Sequence, residues 1–229
     1  DIGISAPQIL DQSVESEGFH GQFAKNGNTE IRINTKIRLA GDDQGGFAVI
    51  GSANINRLKN NPYLGEDAKP IYNLQVAMDT TVKRIALGLN LGYRWRDPGE
   101  QITDGEAFSD NPIEPIKDQY IASAAASYHF ASIDTKLIAE VFGSAPAKKE
   151  SEASDRLASS AELLIGAKHD FTTALAGHFG AGTELQHGRS SPDWRVYAGI
   201  NYATGQKFRE QTYRKPKKAK KDDPFAGPP

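Results

Sequence analysis

From Arg84 to Arg96 apolar and polar residues alternate without a break. Ile85, Leu87, Leu89, Leu91, Tyr93 and Trp95 fall on one face of an extended chain. Arg84, Ala86, Gly88, Asn90, Gly92, Arg94 and Arg96 fall on the other. A helix, with period 3.6, cannot separate these two sets, whereas a strand of period two separates them completely. Glu30 to Arg38 repeats the pattern, with Ile31, Ile33, Thr35 and Ile37 opposed to Glu30, Arg32, Asn34, Lys36 and Arg38, and Tyr72 to Met78 does so again. Segments of this kind lie near 1–10, 29–40, 46–57, 70–79, 84–96, 119–130, 133–144, 160–169, 174–186 and 193–203. Several run roughly 10 to 13 residues, longer than the usual soluble strand and suited to a tilted bilayer crossing of about 9 to 11. The chain is expected to be all-β.

Which solvent the apolar face meets is the next question. No run of about 18 apolar residues exists, so no transmembrane helix is expected. The mean hydropathy of −0.54 would fit a soluble protein, but it does not exclude a barrel, in which only alternate residues meet lipid. A soluble barrel or sandwich also alternates, with its apolar face turned inward. Three features favour lipid. Aromatics gather at segment ends: Tyr93 and Trp95, Tyr128 and Phe130, Trp194 and Tyr202. The polar face mixes charge with glycine (Gly88, Gly92, Gly180, Gly182, Gly199), as a crowded lumen would require. The apolar face carries a row of small residues, Ala122, Ala124 and Ala126, too little volume for a packed core.

The connections alternate in length. Those near 41–45, 80–83, 131–132 and 170–173 are tight. Those near 11–28, 58–69, 97–118 and 145–159 are long and polar, and the one near 187–192 is short. Short periplasmic turns and longer external loops are the habit of outer-membrane barrels. The expected fold is therefore a transmembrane antiparallel up-and-down β-barrel over residues 1–203, or the C-terminal portion of one, with about ten strands in this chain. Residues 204–229, with Lys215, Lys217, Lys218, Lys220 and Lys221 among prolines, cannot bury a core and read as a basic periplasmic tail or linker. The lysine run would face anionic lipid or cell-wall polymer, or simply solvent.

Gly180-Ala181-Gly182-Thr183-Glu184-Leu185, followed by Ser190-Ser191-Pro192-Asp193-Trp194-Arg195-Val196-Tyr197-Ala198-Gly199-Ile200, resembles the closing hairpin of porin-like barrels of the outer membrane protein A type, found in many proteobacteria. Tyr63-Leu64-Gly65 resembles an earlier element of the same family. The strong likeness covers residues 160–203. It implies a Gram-negative outer-membrane location, contact with lipid and lipopolysaccharide, and a periplasmic tail. It also implies a peptidoglycan-binding domain beyond the tail, which is absent from this sequence, and further strands upstream of Asp1. Those strands would come from a missing segment or a second chain that completes the barrel, so the first and last segments of this chain are expected not to pair with each other.

By parity the lumen-facing cations are Arg32, Lys36, Arg38, Arg84, Arg94, Arg96, Lys136, Lys168 and Arg195. The anions are Glu30, Asp79, Asp134, Glu140, Glu162 and Glu184. They imply either a pore with weak anion preference or paired ions that plug a narrow lumen. The expected function is an outer-membrane porin-like channel; the alternative is a structural or adhesive barrel with a plugged lumen whose external loops bind a partner. The loop from Asp97 to Asp118, rich in Asp and Glu, reads as a solvated surface or a calcium site. His20, His129, His169, His178 and His187 have no metal-ligand spacing; no Ser adjoins any of them and only His169 has an Asp, Asp170, beside it, so neither a metal site nor an enzyme is expected. A triad assembled through space stays open. Cysteine is absent, which removes thiolate chemistry. A net charge of −2 argues against nucleic acid, and no cofactor is called for.

Overall fold

The structure, a computed structural model, describes residues 1–11, 26–58, 61, 63–103, 113–149, 152–188 and 191–203. The tail from 204 onward, His20, and Asp104, Glu106 and Asp110 of the acidic loop lie outside the described residues. The strands are β1 (Ile2–Ser5), β2 (Gln8–Ile9), β3 (Gly27–Asn28), β4 (Glu30–Asp42), β5 (Gly45–Asn56), β6 (Ile71–Val82), β7 (Ile85–Trp95), β8 (Gln119–Phe130), β9 (Thr135–Pro146), β10 (Ser160–Asp170), β11 (Leu175–Gln186) and β12 (Trp194–Tyr202), with one short helix, α1 (Glu152–Ala158). Ten of the strands form one antiparallel sheet in the order β1-β4-β5-β6-β7-β8-β9-β10-β11-β12. From β4 onward the order follows the chain, which is the up-and-down plan.

The sheet is not closed. Among the described residues β1 pairs with β4 and β12 with β11, and no pairing joins β1 to β12. The first and last segments are indeed not partners, but the expected barrel stands here as an open ten-stranded sheet.

Register carries each face across the sheet. Phe47, Met78, Leu89, Ala124, Val141 and Leu163 lie in one row over β5 to β10, each opposite the next. This apolar face is the uncovered one: Met78 is 41 %, Leu89 38 % and Val141 42 % exposed although they sit mid-strand. Across the sheet, polar side chains are the sheltered ones; Asn54, Asn73, Gln119 and Glu162 are all buried. A water-soluble sheet would have these faces the other way round.

Aromatics frame the exposed face at both ends. At the long-loop end Tyr93 packs against Trp95 (centroids 4.9 Å) and edge-on to Tyr120 (5.4 Å). At the tight-turn end Tyr128 meets Phe130 at 4.8 Å, and His169 meets Phe171 at 4.8 Å.

The tight turns follow from their residues. Asp42 Oδ1 accepts from the backbone N–H groups of Gln44 (2.8 Å) and Gly45 (3.2 Å), closing β4 onto β5. Thr172 Oγ1 does the same for Ala174 and Leu175 between β10 and β11. Lys83, at φ 59°, begins a two-residue link between Val82 and Ile85.

Three details depart from the sequence reading. The segment 1–10 is two pieces, because Ala6-Pro7 interrupts it. Proline has no N–H to give the ladder, so pairing with β4 stops at Ser5 and resumes as the separate β2–β3 ribbon. The strand near 70–79 continues to Val82, and the one near 133–144 runs from Thr135 to Pro146. The connection 145–159, read only as long and polar, holds α1, a seven-residue helix too short to print a helical period.

The long connections are built rather than slack where they are described. Gly99 N–H donates to Leu64 C=O (2.8 Å), Glu66 N–H to Glu100 C=O (2.9 Å) and Ile116 N–H to Tyr63 C=O (2.9 Å). Gly65 has φ 79°, and a Cβ on Gly99 would overlap the backbone of Glu66, so both positions require glycine. Ile102 and Ile116 are buried beneath this knot.

Candidate functional site: the polar face and its loop end

The sheltered face carries a belt of side-chain hydrogen bonds that crosses six strands. Asn73 Nδ2 donates to Ser52 Oγ (2.8 Å), and Arg94 Nε donates to Asn73 Oδ1 (2.8 Å). Arg94 Nη1 reaches Gln119 Oε1 at 3.4 Å, Gln119 Nε2 donates to Ser144 Oγ at 3.1 Å, and Ser144 Oγ meets Ser160 Oγ at 2.9 Å. The belt follows register: Ser52, Asn73, Arg94 and Gln119 lie opposite one another in turn, as do Ser144 and Ser160. Gln119, only 1 % exposed, also donates to Ala158 C=O (2.9 Å) and so holds the end of α1. A second rung joins Asn90 Nδ2 to Ser123 Oγ at 3.0 Å.

All the residues expected by parity to share one face do so within the strands, but the structure sorts them into different tasks. Arg195 is ion-paired to buried Glu162 (2.8 Å) and lies 6.0 Å over the Phe142 ring, which parity also puts on the polar side. Glu162 faces Glu184 across the β10–β11 ladder. Near the sheet's first edge Arg32 pairs with Glu30 at 2.7 Å, and Glu30 also accepts from Asn54 at 3.1 Å. Arg38 is spent on its own turn, donating to the carbonyls of Asp42 and Gly45. Lys36 is exposed on β4. Lys136 and Lys168 stand opposite each other near the tight turns, with Asp170 3.7 Å from Lys168. Glu140 and Asp79 sit on the polar side of β9 and β6. Arg84 and Asp134 lie in tight turns rather than in strands.

Just past β7, the loop end of this face holds a cavity of about 310 Å³. Its walls include Arg96, Pro98, Pro115, Ile116, Gln119, Pro146, Lys148 and Ala158. Burial, with Arg94 close by, lowers the Arg96 guanidinium to about 10, which leaves it charged at neutral pH. Tyr93 O–H and Arg96 N–H both donate to Asp118, at 2.9 and 2.7 Å. Lys69 lies 2.5 Å from Asp97, whose carboxylate raises the lysine above its usual range.

One grouping escaped the histidine spacing rule. Glu184 at the end of β11, His187 in the loop and Asp193 before β12 bring their potential ligand atoms within 4.8 Å of one another. His187 Nδ1 is 2.9 Å from Glu184 and 3.9 Å from Asp193. The available signal was Glu184-x-x-His187 with an aspartate across the same hairpin, legible only once register is known. One nitrogen and two carboxylates are ligands a divalent ion accepts, but all three groups also suit an ordinary hairpin ion network. No family model matches the chain, and no curated protein matches it.

Proposed function

We propose that the chain forms the wall of an outer-membrane β-barrel that conducts small solutes through a charged lumen. The observation that carries this reading is the inversion of the two faces. An apolar sheet face framed by aromatic rings at both ends stands uncovered, while asparagine, glutamine and glutamate are sheltered on the other side. Lipid is the solvent for which that arrangement is favourable. The dimensions agree: strands of 12 residues, at about 3.4 Å each and tilted by about 40°, span roughly 30 Å, the thickness of a bilayer's hydrocarbon. The likeness of the β11–β12 hairpin to the outer membrane protein A type adds to it. In lipid, both open edges need a strand partner, from further sequence or a second polypeptide.

A second reading, a plugged structural or adhesive barrel, is favoured by Phe142 and the Glu162–Arg195 pair, which fill space on the polar side. Planar-bilayer recording separates the two. The pore reading expects discrete conductance steps with a mild preference for anions, because Arg and Lys outnumber Asp and Glu on that face. Protein that inserts and gives no steps would sink it in favour of the plug.

Orientation is tested separately. Lys149→Cys, at the long-loop end, is expected to react with an impermeant maleimide on intact cells, and Asp43→Cys, in a tight turn, only after lysis. The reverse pattern would invert the topology.

A further inference from the structure

The cavity past β7 has a charge balance that differs from its composition. Four carboxylates line it, Asp97, Glu114, Asp118 and Asp155. Asp97 is paired with Lys69, Glu114 with Lys117 at 3.2 Å, and Asp118 accepts from Tyr93 and from the Arg96 backbone. Asp155 is engaged as well. Of the lining cations Lys117 is so matched, but Arg96 and Lys148 are not. Among the described residues the Arg96 guanidinium makes no hydrogen bond or ion pair, and its Nε is buried without a partner. Lys148, on the rim, likewise has none among the described residues. A half-buried guanidinium whose Nε is shut from water without a counter-ion is costly, and a donor fork of that kind is shaped for a carboxylate or phosphate. Of the remaining walls, Pro98, Pro115, Ile116, Pro146 and Ala158 are apolar, and Gln119 and Ser154 are polar. The volume is near the lower end for small-molecule sites, which begin at about 300 Å³.

We propose that this pocket binds a small organic monocarboxylate, its charge held by Arg96 with Lys148 at the rim and its apolar body against the proline and isoleucine wall. A singly charged ligand suits the site better than a dianion, because the surrounding carboxylates repel a second negative charge. The proposal does not rest on conduction: the lining residues lie at the loop end.

The test is ¹⁹F NMR on the full chain refolded in octyl glucoside, with 4-fluorobenzoate as probe and neutral 4-fluorobenzamide as control. Saturable binding of the benzoate, displaced by unlabelled benzoate, is expected, with none for the amide. Arg96→Gln is expected to weaken it about tenfold or more, the order expected for a charge-assisted hydrogen bond. Lys148→Gln should weaken it a few-fold. Ala158→Trp, which fills the cavity from α1 and leaves Arg96 in place, should abolish binding, and it decides the matter if Arg96→Gln does not fold by circular dichroism. Unchanged affinity in Arg96→Gln or Ala158→Trp would overturn the proposal. So would equal saturation by the amide, and displacement by inorganic phosphate as effective as by benzoate would replace it with a plain anion site.

Discussion

Leu89→Arg is expected to destabilise the protein in lipid vesicles by about 2 to 4 kcal/mol, and Asn90→Arg by far less. Leu89 sits in the middle of β7 in the uncovered row between Met78 and Ala124. An arginine there must either lose its hydration in hydrocarbon or drag water toward it. Asn90 points the opposite way and bonds to Ser123, so an arginine there meets polar neighbours. The pair also separates lipid from water as the solvent of the exposed face. In a soluble sheet with Leu89 standing free, the arginine would cost within about 0.5 kcal/mol. A urea titration in vesicles that gives equal costs at both positions would defeat the facing assignment.

Gln119→Leu is expected to cost roughly 3 kcal/mol in the same titration, the second large effect. The side chain is almost wholly enclosed and makes three bonds, to Arg94, Ser144 and the Ala158 carbonyl. Leucine keeps the bulk but strands the guanidinium hydrogen and the carbonyl, each an orphan worth about 1 to 3 kcal/mol. The amides of α1 should then exchange faster, because the bond that ties the helix end to β8 is gone. Ser127→Ala, on the same face of β8 but outside the belt, serves as control and should stay within about 0.5 kcal/mol. If the two substitutions cost alike, the belt contributes nothing to stability.

The strands were legible because period two is a local property. The segment read at 84–96 is β7 at Ile85–Trp95, and the parity of the polar-face residues within the strands follows from alternation alone. The belt was not legible. Asn73, Arg94 and Gln119 are 21 and 25 residues apart, and only the turn lengths and bulges decide that they meet. The same holds for Glu184 and Asp193, and for Arg38, whose parity was right but whose guanidinium curls back to its own turn. The loop cavity is assembled from two connections, β7–β8 and β9–β10, and leaves no periodic trace. Pro7 was a missed local signal, since it has no N–H to give the ladder.

The belt of Ser52, Asn73, Arg94, Gln119, Ser144 and Ser160 also has a geometric consequence for any closed form. In a barrel the radius depends on strand number and on shear, the total stagger accumulated around the ring. A strand can slip by two residues without turning its faces over, so alternation alone leaves the shear free to drift. The junctions Ser52–Asn73, Asn73–Arg94, Arg94–Gln119 and Ser144–Ser160 join directly opposed residues, and a two-residue slip at any of them separates its donor from its acceptor. Strands β5 to β8, and the pair β9 and β10, are thereby locked in shear, and with them the arc of circumference they contribute. In a closed ring the bore would then be set, over that arc, by hydroxyl and amide groups on its inner wall rather than by the lipid around it.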